Sequence, residues 1–280
     1  MSRRVVVITG CRSGFGLLTA VGAARAGWTV YAGLRALDTG DDLRAASTGL
    51  PVHPIQLDVT DEEQRRAAID GVLQAEGRID ALVNNAGRPL GGFLEQLEED
   101  ELRALFDVNL FGVFSLTNLV LPTMRSQGSG RIVNVSSIAG RMAMPGLGAY
   151  AASKFALEGM TEALRHEVRA FGIGVFLIEP GPYKTDIFSR NKVVGRRVRD
   201  ESSPYAAQAQ RLEKAADAVH KRAGDPEDVV KRIVAVLDGR KGRLRHPMGA
   251  SAHVRLNLRK VMPGWAYEAA IARVLGPPAT

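Results

Sequence analysis

The chain has 280 residues, of which 45% are hydrophobic, and carries a formal net charge of +7. This is enough apolar material for one sizeable core, and no composition shift or long linker divides the chain, so we expect a single domain over residues 1–280. The single cysteine, Cys11, excludes a disulfide framework within the chain and fits a reducing compartment, which predicts a cytoplasmic protein.

Short apolar strands alternate with longer helical patterns from the amino terminus to residue 179. This alternation predicts an α/β fold with a doubly wound, mostly parallel, Rossmann-like sheet and helices on both faces. The predicted strands are 4–9, 29–33, 51–57, 80–84, 131–136 and 173–179. The predicted helices are 15–26, a polar helix that Asp61 caps and that runs towards residue 76, 98–124 and 149–171.

The sequence predicts neither a signal peptide nor a membrane-spanning helix. The amino-terminal apolar run is too short for a signal peptide. The most hydrophobic window, 105–124, contains Asp107, Asn109, Asn118 and Pro122. A membrane span carries such residues only at a cost, so we predict a buried helix and no transmembrane segment.

The rhythm changes after residue 180. Segment 186–224 is highly charged and has no clean period, which predicts a mobile loop or a lid on the substrate side. Asp225 then begins a helix that has proline in its first turn. Residues 240–280 are interpreted as a basic C-terminal extension. One helical face there is apolar, which predicts packing against the body; its residues are Val254, Leu258, Val261 and Met262.

Positive charge is concentrated near the carboxyl terminus. Residues 240–260 include seven Lys or Arg and no Asp or Glu, a number equal to the whole net charge. One interpretation is a basic patch for an acidic lipid, a protein partner or a nucleic acid. The alternative, which we favour, is the solvated surface of an arginine-rich protein, so nucleic-acid binding is not expected.

A glycine-rich loop follows the first strand. Gly10, Gly14 and Gly16 have the spacing Gly-x-x-x-Gly-x-Gly between a strand and a helix. Glycines let the backbone approach a pyrophosphate, and the helix amino terminus offers free N–H groups. We therefore predict a dinucleotide site. Its further residues are expected to be Arg12, Ser13, Phe15, Asp58 at the adenine amino group and Val59 beside the adenine ring.

The end of the second strand distinguishes the two nicotinamide dinucleotides. A carboxylate there would bind the ribose 2′-OH of NAD and repel a 2′-phosphate. This chain has Leu34 at that position, and Arg35 follows. A guanidinium matches a phosphate in shape and charge, and Arg12 could assist. We predict NADP(H) as the preferred cofactor, with NAD(H) possible; the alternative is that Arg35 is a plain surface residue.

Three side chains form a candidate catalytic set. Tyr150 and Lys154 face the same side of a predicted helix, and Ser137 follows a predicted strand. A nearby ammonium lowers the pKa of a tyrosine, which is otherwise near 10. Ser137 can donate a hydrogen bond to a substrate oxygen on which negative charge develops. This set predicts carbonyl reduction in which Tyr150 gives the proton and Lys154 stabilises the phenolate.

With these motifs the chain resembles the short-chain dehydrogenase/reductase family. The resemblance runs from Thr9 to Thr185 and includes Asn84-Asn-Ala-Gly87, Asn109 and Pro180-Gly-Pro-Tyr-Lys-Thr185. It implies a nicotinamide-dependent oxidoreductase acting on CH–OH or C=O groups. It also implies a homo-oligomer, dimer or tetramer, built through the helices that contain Asn109 and Lys154. The glycine loop and the pair 34–35 resemble the branch of 17β-hydroxysteroid and retinol dehydrogenases.

The resemblance also implies roles for single residues. Asn109 would act with the catalytic set by holding a water that links Lys154 to solvent as a proton relay. Arg88 departs from the family pattern; it either attracts an acidic group of the substrate or faces solvent. Further cofactor contacts would come from Asn85, Ala86, Gly87, Tyr150, Lys154, Pro180, Gly181 and Thr185.

The expected substrate pocket is mostly apolar. Such a lining suits a hydrophobic ketone or secondary alcohol, such as a steroid, a terpenoid or a polyketide intermediate, unless several of its residues simply fill the core. A different class of function, an NAD(P)-binding regulatory or scaffold protein, would not need the complete catalytic set. No metal site is predicted. The expected lining residues are Phe93, Leu94, Met142, Met144, Leu147, Pro182, Tyr183 and Phe188, beside Ser137 and Tyr150.

Overall fold

The structure is a computed structural model that describes residues 4–185, 193–200, 202–239 and 242–276. The predicted pocket residue Phe188 lies outside the described residues. Within them, seven parallel strands form one sheet in the order β3-β2-β1-β4-β5-β6-β7. The strands are β1 (Arg4–Ile8), β2 (Trp28–Leu34), β3 (Val52–Gln56), β4 (Ala81–Asn84), β5 (Gly130–Val135), β6 (Ile173–Pro180) and β7 (Arg245–Met248).

Helices cover both faces of this sheet, so the prediction of a doubly wound α/β fold is confirmed. Because both faces are covered, the central strands read as continuous Val, Ile and Leu runs. The helices are α1 (Gly14–Arg25), α2 (Asp41–Ala46), α3 (Glu62–Glu76), α4 (Glu99–Phe106), α5 (Gly112–Ser126), α6 (Gly148–Glu167), α7 (Ala206–Lys221), α8 (Pro226–Asp238), α9 (Ala250–Val261) and α10 (Gly264–Leu275).

Two helix starts follow from their capping residues. Asp61 precedes α3, and its carboxylate accepts the N–H of Gln64 at 3.0 Å. Asp225 precedes α8, and its carboxylate accepts the N–H of Glu227 at 3.0 Å. Each side chain satisfies an N–H that has no partner inside the helix, which is why both helices begin where the sequence predicts.

The predicted helix 98–124 is interrupted. Between α4 and α5, the turn Asp107–Phe111 is π-helical, and the N–H of Gly112 bonds the carbonyl of Asp107. The wider turn accommodates one extra residue, and the sequence from 98 to 124 carries no breaker at that point that would predict it. Among the described residues, Glu99–Ser126 is long and apolar enough to cross a membrane by length and composition. Here it is a core helix, because Leu116, Val120 and Met124 are fully buried.

The carboxyl-terminal region differs from its prediction in two ways. Segment 186–224, predicted as a loop or lid, contains the 16-residue helix α7. The prediction that Val254, Leu258 and Val261 pack on the body is wrong, since they are 63%, 50% and 78% exposed. Helix α9 turns its opposite side inward, and the small residue at 252 allows a close approach; the buried residues are Ala252 and Leu256.

The basic stretch contributes the last strand of the sheet. Residues 245–248 pair in parallel with β6, with Leu177 opposite Arg245 and Pro180 opposite Met248. The strand sequence Arg-His-Pro-Met has no apolar alternation, so the sequence lacks a strand signal there. Its position brings one basic side chain, Arg245, next to the carboxyl groups of Glu158 and Glu162 on α6.

Candidate active site

The glycine loop is fixed to the end of the neighbouring strand β4. The hydroxyl of Thr9 accepts the backbone N–H groups of Asn85 at 3.0 Å and Ala86 at 2.9 Å. The amide of Asn85 in turn donates to the carbonyls of Thr9 at 2.9 Å and Gly10 at 3.2 Å. These bonds join two chain segments far apart in sequence, and so hold the loop in one shape without any ligand.

Two glycines of the loop tolerate no side chain. Gly10 has a φ of +70°, and a Cβ there would stand 2.9 Å from Cα of Ala86. A Cβ at Gly16 would stand 2.2 Å from the carbonyl oxygen of Gly10. The start of α1 therefore lies directly against the loop, and Ser13 leaves its first N–H groups without a side-chain cap. This cradle and these donors fit a pyrophosphate.

Cys11 fixes the same loop to the neighbouring strand β2. Its N–H donates to the carbonyl of Gly33 at 2.9 Å, which ties the loop to β2. Its thiol is fully buried and donates to the carbonyl of Ile8 at 3.2 Å. Burial raises the pKa of the Cys11 thiol well above its ordinary value.

The region beside the loop offers cations and no carboxylate at the strand end. Leu34 is buried, so it cannot contact a ribose. Arg12 and Arg35 are exposed, and among the described residues neither guanidinium has a hydrogen-bond or ion-pair partner. Asp58 is half-buried. Its carboxylate accepts hydrogen bonds from the N–H of Thr60 at 2.9 Å and from the hydroxyl of Thr60 at 2.8 Å.

Two residues of the predicted cofactor site have their side chains elsewhere. Val59 is buried in the core and packs against Gly112 of α5, so its side chain is not available beside an adenine ring. The ring of Phe15 packs edge-on against Tyr183, with their centroids 5.8 Å apart. Both lie next to loop residues whose backbone faces the groove, and a sequence position alone does not separate backbone from side-chain contacts.

The catalytic set assembles at the carboxyl ends of β5 and β6. Ser137 is the second residue after β5, and its hydroxyl bonds the hydroxyl of Tyr150. It also lies 3.4 Å from the carbonyl of Pro180 and accepts the N–H of Ala139 at 3.1 Å. Lys154 lies one turn beyond Tyr150 on α6, and its Nζ is 5.9 Å from the tyrosine ring centroid. All three predicted side chains therefore face one space.

Burial dominates the titration of this set. It raises the pKa of Tyr150 to about 12, against a lowering contribution from the bond to Ser137. In this structure burial therefore outweighs the predicted lowering of the Tyr150 pKa. Lys154 is itself buried, and its Nζ donates to the carbonyl of Val135 at 2.9 Å. Burial lowers the pKa of Lys154 to about 8, and the charge of Glu158 opposes that change.

Asn109 is buried inside the π-helical turn and connects two parts of the site. Its Oδ1 accepts the N–H of Arg88 at 2.9 Å, and its Nδ2 donates to the carbonyl of Arg88 at 3.0 Å. Nδ2 also donates to the hydroxyl of Ser153 at 3.0 Å. Ser153 belongs to α6, so the amide joins the π-helical turn to that helix, and such turns are frequent at functional sites. The backbone of Arg88 is thus fixed, while its side chain is half-buried.

A buried charged cluster lies behind the catalytic helix, and the sequence analysis missed it. Glu158, one turn beyond Lys154, bonds Arg245 at 3.1 Å. Glu179 of β6 is fully buried and lies 3.3 Å from both Arg245 and Arg141. Burial is the main cause that raises the pKa of each carboxyl group, that of Glu158 to about 7. The residues are too far apart in the chain for a motif to reveal them.

The substrate side combines predicted and unpredicted residues. Phe93 and Met144 line a cavity of about 380 Å³, where the ring of Phe93 stacks on Tyr205 with centroids 4.7 Å apart. Tyr205 belongs to the segment that was predicted only as a loop or lid. Two predicted pocket residues are elsewhere: Tyr183 is buried in the core near α8, and Met142 packs under α9. Leu94 and Gly148 also line this cavity, and Leu147 is half-buried at the start of α6.

Comparisons with known proteins show the family to which this chain belongs. A family model described as short chain dehydrogenase matches residues 4–193. An uncharacterised oxidoreductase of Bacillus subtilis, YusZ, is 37% identical over 280 residues, which cover 98% of this chain and 99% of that protein. Human 17-beta-hydroxysteroid dehydrogenase type 1 is 38% identical over 258 residues, which cover 88% of this chain and 77% of that protein.

A solved structure resembles the whole chain. The crystal structure of a short-chain dehydrogenase from Streptomyces avermitilis has a TM-score of 0.83 and 37% sequence identity, with 98% of each chain covered. Sequence and structure therefore agree along nearly the full length. We conclude that this chain belongs to the short-chain dehydrogenase family of oxidoreductases, whose members bind nicotinamide cofactors.

Proposed function

We propose that this protein is a cytoplasmic, NADP(H)-dependent oxidoreductase that interconverts a ketone and a secondary alcohol on a largely apolar substrate. The observation that carries the proposal is the convergence of Ser137, Tyr150 and Lys154 beside the groove that starts at the glycine loop. Ala86 abuts Gly10 of the loop, and a Cβ on the next residue, Gly87, would be 3.8 Å from Nζ of Lys154. One continuous ligand could therefore reach from the loop to the catalytic set.

The residues that would hold the cofactor follow the same groove. The glycine loop and the start of α1 would bind the pyrophosphate, and Asn85 to Gly87 would line the middle. Gly181 and Thr185 would contact the nicotinamide side, which is supported by the 3.7 Å from Cβ of Thr185 to the position of a Cβ on Gly14. The nicotinamide, when bound there, supplies or accepts the hydride.

The preference for NADP(H) rests on the charges near the end of β2. A 2′-phosphate needs cations and the absence of a carboxylate. Arg12 and Arg35 have free guanidinium groups in the described part of the chain, and Leu34 stands at the acidic position. The nearest acid after the strand, Asp38, lies on an exposed turn beyond it. NAD(H) remains the second cofactor to be tested.

The catalytic residues act on the substrate oxygen. Ser137 and Tyr150 each have a hydroxyl that can donate to a carbonyl oxygen, and their present bond holds the two hydroxyls close together. A pKa of about 12 keeps Tyr150 protonated at neutral pH, as a proton donor must be. When Tyr150 gives its proton to the forming alcohol, the ammonium of Lys154 stabilises the phenolate that remains.

A proton relay would return the proton to Tyr150. Oδ1 of Asn109 accepts one bond in this structure and has a second lone pair. A Cβ on Gly87 would stand 3.4 Å from this oxygen and 3.8 Å from Nζ of Lys154. The glycine therefore leaves open a space that borders both polar atoms, and a water there could link Lys154 to Asn109.

The apolar substrate class rests on the cavity beside the site and on one relative. Its walls come from Phe93, Leu94, Met144 and the ring of Tyr205. The human relative at 38% identity is a 17-beta-hydroxysteroid dehydrogenase, a name that indicates a bulky apolar alcohol. Steroids, terpenoids and polyketide intermediates are all compatible with such walls.

The proposal is tested with a panel of apolar ketones and secondary alcohols, with NADPH and NADH or their oxidised forms, by following absorbance of the reduced ring. We expect turnover of bulky apolar substrates and higher kcat/KM with NADPH. Turnover with NADH alone would remove the cofactor preference. Cofactor binding with no turnover on any member of the panel would favour the regulatory or scaffold alternative.

Glu158→Gln is expected to change the pH dependence of kcat. At pH values above about 7 Glu158 is ionised and raises the pKa of Lys154, so its loss moves the deprotonation of Lys154 to lower pH. We expect the alkaline limb of the profile to move to lower pH, with little change near pH 6. Glu162→Gln is the control, because Glu162 also bonds Arg245 but is exposed. Superimposable profiles for the two variants would contradict this role.

The homo-oligomer is expected to form through the outer side of α5 and α6. Phe111, Phe114 and Phe155 are 55%, 52% and 46% exposed there, which is unusual for phenylalanine in a monomer. The double variant Phe114→Glu/Phe155→Glu should sediment as a monomer, whereas the unmodified chain should be a dimer or tetramer. Leu37→Glu, at an exposed leucine that follows β2 and lies away from these helices, should leave the mass unchanged. A wild-type monomer would refute the expectation.

A further inference from the structure

Helix α9 has an apolar face that the body of the protein does not cover. Its inner side buries Ala252 and Leu256 against the segment that follows Ser137. Val254, Leu258 and Val261 point away from the body and are 50% to 78% exposed. An apolar stripe on the solvent side of a helix costs free energy in water, so an apolar environment outside the chain is indicated.

The next helix also begins with an exposed apolar side chain. Helix α9 ends at Val261, and Trp265, in the first turn of α10, is 75% exposed. The other tryptophan of the chain, Trp28, is buried with 2% exposure. An exposed tryptophan next to an apolar stripe is typical of segments that rest at a membrane–water interface.

Cations flank the apolar stripe on both sides. At about 100° per residue, Lys260 lies on one side of the stripe, and Arg255 and Arg259 lie on the other. Arg259 is stacked over the ring of Tyr267, 4.4 Å from its centroid. Residues 239–267 contain no Asp or Glu, so no carboxylate offsets these charges locally.

We propose that α9 and the start of α10 form a docking face for an anionic membrane surface. The stripe of Val254, Leu258 and Val261 would enter the boundary between headgroups and acyl chains, and Trp265 would lie at headgroup level. The flanking Arg and Lys side chains would reach lipid phosphates, and their apolar stems favour such an arrangement.

Charge and shape favour a lipid surface over other occupants. In a two-fold pair of this face, the cationic flanks of one copy would meet those of the other, with no nearby acid on α9 to compensate. A nucleic acid would use the cations but would leave the apolar stripe in contact with a charged backbone. An anionic bilayer satisfies both components of the face at once.

The docking face is directly attached to the substrate side. Tyr267 of α10 donates its hydroxyl to the carbonyl of Ala143 at 3.1 Å, and α9 packs on Ile138 and Met142. Docking would therefore hold the segment after Ser137 one helix away from lipid, which suits an enzyme with an apolar substrate. The membrane inference does not depend on the proposed reaction, since lipid binding is measured without substrate or cofactor.

The test is co-sedimentation of the full chain with vesicles of phosphatidylcholine, with or without phosphatidylglycerol. We expect binding to anionic vesicles at least about tenfold stronger than to neutral ones, and weaker binding as salt is added. Trp265 is a direct reporter: its emission should shift to the blue with anionic vesicles, while buried Trp28 contributes a constant background. Equal binding to both vesicle types, or to neither, overturns the proposal.

Variants distinguish binding through the docking face from non-specific binding to vesicles. Leu258→Asp/Val261→Asp and Arg255→Gln/Lys260→Gln should each lower binding to anionic vesicles about tenfold or more, while Leu37→Asp, at an exposed leucine on another part of the surface, should bind as the wild type. The charge variant leaves the apolar residues of α9 unchanged, so it remains informative if the aspartate variant fails to fold. Unchanged binding in the charge variant overturns the proposal.

Loss of self-association in the aspartate variant without lipid would assign the face to a second copy, and preferential binding to duplex DNA would assign it to nucleic acid.

Discussion

Replacing Tyr150 with phenylalanine is expected to lower kcat by about 10²- to 10⁴-fold while cofactor affinity stays nearly unchanged. The substitution removes the hydroxyl that bonds Ser137 and would give the proton, but keeps the buried ring. Turnover is measured on the best substrate of the panel, and cofactor affinity by quenching of protein fluorescence.

Tyr183→Phe is the matched control. Tyr183 is also a buried tyrosine, but its ring packs on Phe15 in the core, away from the catalytic set. We expect near wild-type kcat for this variant, which would also support the correction that removes Tyr183 from the substrate pocket. If Tyr150→Phe keeps full turnover, the proposed acid is wrong, whatever the cofactor preference.

Replacing Arg35 with aspartate should reverse the cofactor preference. A charge-assisted hydrogen bond to phosphate contributes about 1.5–3 kcal/mol, so its loss corresponds to about 10- to 150-fold in affinity. The introduced carboxylate would also repel the 2′-phosphate and accept a bond from the ribose of NAD. We therefore expect kcat/KM to fall about 100-fold or more with NADPH and to rise with NADH.

Two further variants define the origin of this effect. Arg12→Ala should weaken NADPH binding less than Arg35→Asp, because Arg35 remains and no carboxylate is introduced to repel the 2′-phosphate. Arg25→Ala, at an exposed arginine near the end of α1, should change neither cofactor. An equal loss with NADPH and NADH in Arg35→Asp would show that Arg35 supports the groove in general and does not read the 2′-phosphate.

The elements around the glycine loop were predictable because their signals are local. The Val and Ile run of β1 precedes three glycines, and steric contact with Gly10 and Gly16 requires glycine there. Tyr150 and Lys154 share a helix face by spacing alone. Each of these features depends on residues close together in the sequence, and each is present in the structure.

Features that depend on distant residues were not predictable. Glu158, Glu179 and Arg245 meet only because β7 is added beside β6, and β7 lacks an apolar pattern. The raised pKa of Tyr150 results from burial, which a single sequence does not report. The periodicity of α9 shows which side chains share a face but not which face meets the body, and this is why its stripe was assigned to packing.

The reactivity of the buried thiol in the glycine loop should report local opening of that loop. Cys11 is the only cysteine in the chain, and its high pKa and lack of exposure should protect it from iodoacetamide while the loop is closed. The rate of alkylation, followed by mass spectrometry, would then measure how often the loop separates from β2. Saturating dinucleotide should lower this alkylation rate, even for a variant that has lost all turnover.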